Sequence, residues 1–262
     1  YGLLPIDLAT NYDILINLAW VAVGMYLFLR ALKLRPASAF LGALAFGFGG
    51  FFIARLEHMS ILATASWLPW NFWAFEKHEQ ATQSKRRWRW WGVLAIFSGV
   101  QLLGGHPQFA FMSAVLLALY SVVRWHRDDS SARYQVSPEG RNLVSWFREY
   151  FTLVPVIAVV TAIGLGALLA AAQLLPTFEL STYSDRATGL LPKFFNAYSL
   201  RAVHYVMLFI PFILGNPYPR VSVEVIGYIG FLPVILAIAA PMIRRNRRVV
   251  FFVAIALVAL FL

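Results

Sequence analysis

The chain has 262 residues, of which 60% are hydrophobic and 13% charged, with a formal net charge of +10 at pH 7 and no cysteine. A soluble domain carries about 45–50% apolar and about 25% charged residues. These proportions, with a mean hydropathy of +0.67, exclude an ordinary soluble enzyme, a disordered chain and a nucleic-acid-binding domain. They predict an all-α, polytopic transmembrane helix bundle. Without cysteine, this chain has no disulfide framework, thiolate metal site or cysteine nucleophile.

In chain order, apolar windows of membrane-spanning character fall at residues 14–32, 37–54, 59–75, 88–103, 109–123, 151–175, 225–243 and 249–262. Eight spans are therefore expected, making residues 1–262 a single transmembrane domain with an outer loop over 176–224. The last window falls short of the roughly 20 residues that a crossing needs. With Tyr1 rather than a methionine at the start, an internal piece of a longer protein is expected. Residues 203–214 are also apolar, but they are shorter still and contain Pro211. They are expected to lie at the interface or to re-enter rather than cross.

The loops between these windows are unequal in charge. One set holds Arg30, Lys33 and Arg35; Lys77, Lys85, Arg86, Arg87 and Arg89; Arg124, Arg127, Arg133, Arg141 and Arg148; and Arg244, Arg245, Arg247 and Arg248. Together these are seventeen of the 22 Lys and Arg residues. The opposite face holds Arg55, Arg186, Lys193, Arg201 and Arg220. This bias follows the positive-inside rule. It places the basic loops in the cytoplasm of a multi-pass membrane protein. The basic charge is thus a topology signal, and no nucleic-acid partner is expected. Trp73, Trp88, Trp90, Trp91, Trp125 and Trp146 gather near the same boundary, as an aromatic belt would.

No Asp, Glu, Lys or Arg falls in the middle of a predicted span; Asn17, Gln101 and Gln173 are the polar exceptions. That pattern disfavours an ion-coupled transporter, which carries ionisable groups at mid-membrane. Small residues at Gly42, Gly47, Gly49, Gly50, Gly164, Gly166, Ala167 and Ala170 to Ala172 predict close helix packing. The outer face collects Arg55, Glu57, His58, the turn Gly104-Gly105-His106-Pro107-Gln108, Glu179, Asp185, Arg186, Arg201, His204, Asn216, Tyr218, Arg220 and Glu224. Solvated helix ends are the plainer reading of each residue alone. Converged, they would form a pocket where arginine forks hold phosphate oxygens and a carboxylate or imidazole takes a proton. Residues 181–196, with Gly189 and Pro192, are long enough to act as a lid.

Five strings stand in order along the chain. They are Phe46-Gly47-Phe48-Gly49-Gly50-Phe51; His58 followed by Trp67-Leu68-Pro69-Trp70; Gly105-His106-Pro107-Gln108; Ala171-Ala172-Gln173-Leu174-Leu175-Pro176 followed by Glu179; and Gly227-Tyr228-Ile229-Gly230. In this order, over roughly residues 15–241, the chain resembles the bacterial YfhO-like membrane proteins, within the broad superfamily of GT-C-type glycosyltransferases. The resemblance implies a bundle of many transmembrane helices with a site on the outer face. It also implies transfer of a sugar from a polyprenyl-phosphate carrier to an acceptor outside the cytoplasm. The acidic residue that such enzymes carry after their first helix would precede Tyr1, and Asp7 and Asp13 do not match its motif.

The expected function is therefore a lipid-linked sugar transferase. Glu57, His58, His106 and Glu179 are its candidate catalytic residues, and Arg186, Arg201 and Gln108 are the candidate substrate-binding residues. Mg²⁺ or Mn²⁺ would suit carboxylates and phosphates, though no metal-ligand spacing is visible in the sequence. The expected partners are membrane lipids and a polyprenyl-phosphate-linked sugar. Two other readings are a non-catalytic subunit bound to other membrane-protein subunits of an energy-converting or photosynthetic complex, and a lipid flippase or transporter.

Overall fold

A computed structural model describes residues 5–125, 154–184, 201–215, 226–243 and 246–261. Among the described residues every regular element is helical. The first helix, α1 (Ile6–Ala31), has 26 residues, or about 39 Å at 1.5 Å per residue. It closes where Lys33 turns into the left-handed region at φ 65°, a common way to end a helix. Helix α2 (Pro36–Gly47) starts on a proline, whose missing N–H costs nothing at that position. It continues past a break at Phe48 and Gly49 into α3 (Gly50–Ala54).

Then follow α4 (Met59–Ala65), α5 (Leu68–Gln80), α6 (Ser84–Leu103), α7 (Pro107–Trp125), α8 (Val154–Leu169) and α9 (Ala171–Thr182). A 3₁₀ helix (Ala202–Leu208), α10 (Phe231–Ile243) and α11 (Arg247–Phe261) complete the described chain.

The chain is thus a helical bundle, but the described residues do not contain eight membrane-length helices. Two stretches are long and apolar enough to cross a membrane, Ile6–Ala31 and Pro36–Ala54. A third counts only if α8 and α9, bent by 80° against each other, act as one broken span. The expected span at 59–75 is split because Pro69 has no N–H to give the Ala65 carbonyl, so α4 stops at Ala65. The window at 225–243 shortens to 13 helical residues, because Gly230 takes φ +98° just before α10. Helix α6 opens on Lys85, Arg86, Arg87 and Arg89, which leaves too short an apolar remainder, and α11 has 15 residues. Residues 203–214 indeed do not form a spanning helix: a 3₁₀ helix followed by turns occupies them.

Packing gives the bundle two distinct ends. Helices α6 and α8 run parallel, since Trp91 bonds Thr161 through its indole N–H (3.2 Å) while Gly99 lies against Gly166 further along. The core between them and α5 and α7 holds Phe28, Phe72, Phe75, Leu94, Leu117 and Tyr120, all buried. At one end the Gln80 amide donates to the Ala31 carbonyl (2.8 Å), and Arg248 meets Glu76 at 3.3 Å. The ends of α1 and α5 and the start of α11 therefore share the end where α6 begins with its cations. At the other end the turn at Gly104 to His106 packs on α4, and the Gly50 N–H donates to the Tyr228 carbonyl.

The small residues expected to permit close packing do so selectively. A Cβ on Gly166 would stand 2.8 Å from the Ala95 carbonyl and the Gly99 nitrogen, both backbone, whereas Gly164 faces open space. Gly166→Leu should therefore prise α8 from α6 and cost about 1–3 kcal/mol or more. Gly164→Ala should be neutral, or stabilising by up to about 1 kcal/mol through helix propensity. Thermal unfolding of both variants in one detergent checks this; equal melting points would contradict the crossing described.

Candidate functional site

Helix α3 delivers Phe51 and Arg55 to the end away from the basic loops. The Arg55 guanidinium lies 4.4 Å over the Phe51 ring, and one of its N–H groups donates to the Phe51 carbonyl (3.3 Å). Phe51 meets Phe109 edge to face at 5.5 Å, and Phe109 meets the His106 imidazole at 4.9 Å. An aromatic ladder therefore runs from Arg55 to His106 across two segments far apart in sequence. Phe109 belongs to it because positions three apart share a helix face.

His106 sits immediately before Pro107, the first residue of α7, and its backbone N–H donates to the Thr64 hydroxyl (3.2 Å). The turn before it must be glycine. A Cβ on Gly104 would fall 2.5 Å from Thr64 Oγ1, and Gly105 adopts φ +84°. A Cβ on Gly105 would stand 3.8 Å from both Ser60 and the Gln173 amide, so these residues share this end.

His58 caps α4 two residues before Ser60, with its Nδ1 3.9 Å from the exposed Glu57 carboxylate. That spacing is an ion-pair contact only if the imidazole is protonated, and it is too long for a hydrogen bond. Nδ1 of His58 and Nδ1 of His106 are both buried and without a hydrogen-bond partner among the described residues. A buried nitrogen left unpaired costs about 1–3 kcal/mol.

Residues of all five sequence strings thus lie toward one end. They are the Gly49–Gly50 region against Tyr228 and Ile229, the Gly104–His106 turn, His58 with Ser60 and Thr64 on α4, and Gln173. Three of the other expected site residues are exposed. Glu179 is exposed on α9, and among the described residues its carboxylate makes no hydrogen bond or ion pair. Gln108 is exposed on the first turn of α7. Arg201 is exposed and is tied through its backbone N–H to His204 Nδ1 (3.0 Å). Arg186 and most of the expected lid lie outside the described residues.

As for Mg²⁺ or Mn²⁺, no three His, Asp or Glu side chains group together among the described residues. Glu57 and His58 offer two donors and no third, so that donor set does not fit either ion, and no step is routed through one.

The sequence marks Gln101 as a polar residue inside a span, but not the partners it gathers in the interior. Behind His106, Gln101 is buried; its amide donates to the Thr64 carbonyl (3.1 Å) and the Ser113 hydroxyl (3.0 Å) and accepts from Asn71 (2.8 Å). Ser98 completes the network by donating to Asn71 (3.2 Å). A cavity of about 190 Å³ opens beside these four side chains, between α6, α7 and α8. Further along α5, Glu76 is fully buried, accepts from the Tyr120 hydroxyl (2.6 Å) and Gln80 (3.1 Å), and pairs with Arg248. Asn71 sat inside an expected span and Glu76 just beyond it. Period-3.6 spacing from Phe72 and Phe75 would have placed Glu76 beside the core.

No protein-family profile, curated protein or solved structure matches the chain.

The Gln101 network predicts its own sensitivity. Gln101→Leu removes the shared partner of Thr64, Asn71 and Ser113 in the interior and should cost about 1–3 kcal/mol, whereas Gln108→Leu on the exposed face should change stability little. Chemical denaturation in detergent followed by circular dichroism measures both; a Gln101→Leu protein as stable as the parent would contradict the network.

Proposed function

We propose that this chain is the membrane-embedded core of a bacterial envelope transferase that moves a sugar from a polyprenyl-phosphate carrier to an acceptor hydroxyl outside the cytoplasm. In this reading the chain crosses the cytoplasmic membrane several times, with its basic end inside. The observation that carries the reading is the aromatic ladder that joins the buried Arg55 to His106, one of two imidazoles at this end whose buried Nδ1 has no hydrogen-bond partner among the described residues.

The chemistry follows from those groups. The planar Arg55 guanidinium suits the phosphate oxygens of the donor better than a point charge would. An acceptor hydroxyl donating to His106 or His58 satisfies an imidazole nitrogen and is poised to lose its proton to it. The acceptor oxygen then bonds to the anomeric carbon as the carbon–oxygen bond to phosphate breaks. Polyprenyl phosphate departs with that electron pair, and the imidazole keeps the proton until solvent takes it. Glu57 steadies a protonated His58 from 3.9 Å. Membrane depth suits a carrier whose tail is hydrocarbon and whose phosphate stays at the surface.

The full-length protein, reconstituted in vesicles and supplied with radiolabelled polyprenyl-phospho-sugars, tests the reading. Loss of a general base typically costs 10²–10⁴-fold in rate, so His106→Ala and His58→Ala together should lower transfer by at least about 100-fold. Glu57→Gln alone should have a smaller effect. Transfer undiminished in the double variant would remove these imidazoles from the mechanism, and no transfer by the parent with any donor would overturn the reading.

A further inference from the structure

A second site lies at the opposite, basic end. Where α5, α6 and α8 meet, a cavity of about 510 Å³ is walled by Trp88, Trp91, Ile157 and Ala158 and edged by Ser84 and Arg87. Its walls are hydrocarbon and indole, and its rim is cationic. Trp88 and Ile157 are largely exposed, so the cavity opens sideways, toward the surface that a bilayer would cover.

Among the described residues the charge around it is unbalanced. Lys85, Arg86, Arg87 and Arg89 occupy the first turns of α6, which has no acidic residue in its first turn and no side-chain cap. Cations there oppose the helix dipole, whose N-terminal end is itself positive. Among the described residues one acid answers them: Glu79 holds Arg87 at 3.3 Å and His78 at 2.9 Å. Glu76, nearby on α5, is already matched by Arg248. An anion at the rim would relieve this repulsion, and the apolar walls require that the anion carry hydrocarbon.

We infer that this cavity binds an anionic phospholipid, its phosphate at Arg87 and Ser84 beside the start of α6 and an acyl chain along Trp88, Trp91, Ile157 and Ala158. The site needs only that the bundle sits in a membrane, and it is independent of sugar transfer. Indole rings at the headgroup level and basic pockets between helices are the usual elements of such recognition. A free phosphate ion would meet the rim but leave the walls unfilled.

Native mass spectrometry of the full protein in detergent tests the site without any activity readout. The protein is mixed with equal amounts of phosphatidylglycerol and phosphatidylcholine bearing the same acyl chains. The parent should retain one phosphatidylglycerol with about fivefold preference, the contribution of the single cation Arg87. Arg87→Gln should lower that preference about fivefold, whereas Arg35→Gln, an exposed cation away from the cavity lining, should leave it unchanged. Trp88→Ala keeps the Glu79 pair intact and should reduce retention of both lipids; it decides the matter if Arg87→Gln does not fold. Equal retention of the two lipids by the parent would overturn the site. So would an equal loss in Arg35→Gln, or full displacement of the lipid by millimolar inorganic phosphate.

Discussion

Charge in an apolar bundle is tolerated in two places, at the ends or paired inside, and Glu76 shows the second case. Its carboxylate is fully buried, yet it gathers Tyr120 from α7, Gln80 from its own helix and Arg248 from α11. Removing one partner of such a pair leaves an uncompensated interior charge, which is far costlier than the pair itself is stabilising. The cluster therefore fixes which end of α11 lies beside α5. Gln80 reaches on to the last turn of α1, so the same few side chains bind the first, middle and final described helices together at the basic end.

That fastening leaves the other end free to be built for a different purpose. There the contacts are small residues, aromatic edges and imidazoles rather than ion pairs. Glycines at 104 and 105 let the His106 turn lie on α4, and the aromatic ladder carries the contact to Arg55. The network through Thr64, Gln101 and Asn71 runs inward from this turn. The position of His106 is thus set by hydrogen bonds in the bundle interior as well as by its own loop. A rigid support of this kind is what a proton-accepting imidazole requires.

Much of this was legible in the residues. Helical class follows from composition, and the unequal loops foretold one basic end, where Ala31, Gln80 and Arg248 indeed meet. The five strings stand out by their order along the chain, and residues of each lie toward one end. The number of membrane-length helices was misjudged because apolar windows ignore backbone punctuation. Pro69 and Gly230 interrupt windows that hydropathy alone reads as continuous, and the fold is 80° at Ala170 within another. Glu76 was assigned to a loop because it follows the last residue of a window, although helical periodicity continues through Gln80. Glu179 was drawn toward the site by its place in a string, but α9 leaves it exposed, and nothing in its local sequence distinguishes the two outcomes.

Whether the two ends face opposite sides of a membrane is measured most directly by thiol accessibility, since the chain has no cysteine of its own. Single cysteines at Gln108 and at Lys85, both exposed positions, are treated in intact cells with a membrane-impermeant maleimide. The two-ended arrangement predicts that the Gln108→Cys protein reacts at once and that Lys85→Cys reacts only after the membrane is opened. Reaction of both before permeabilisation, or of neither, would contradict it.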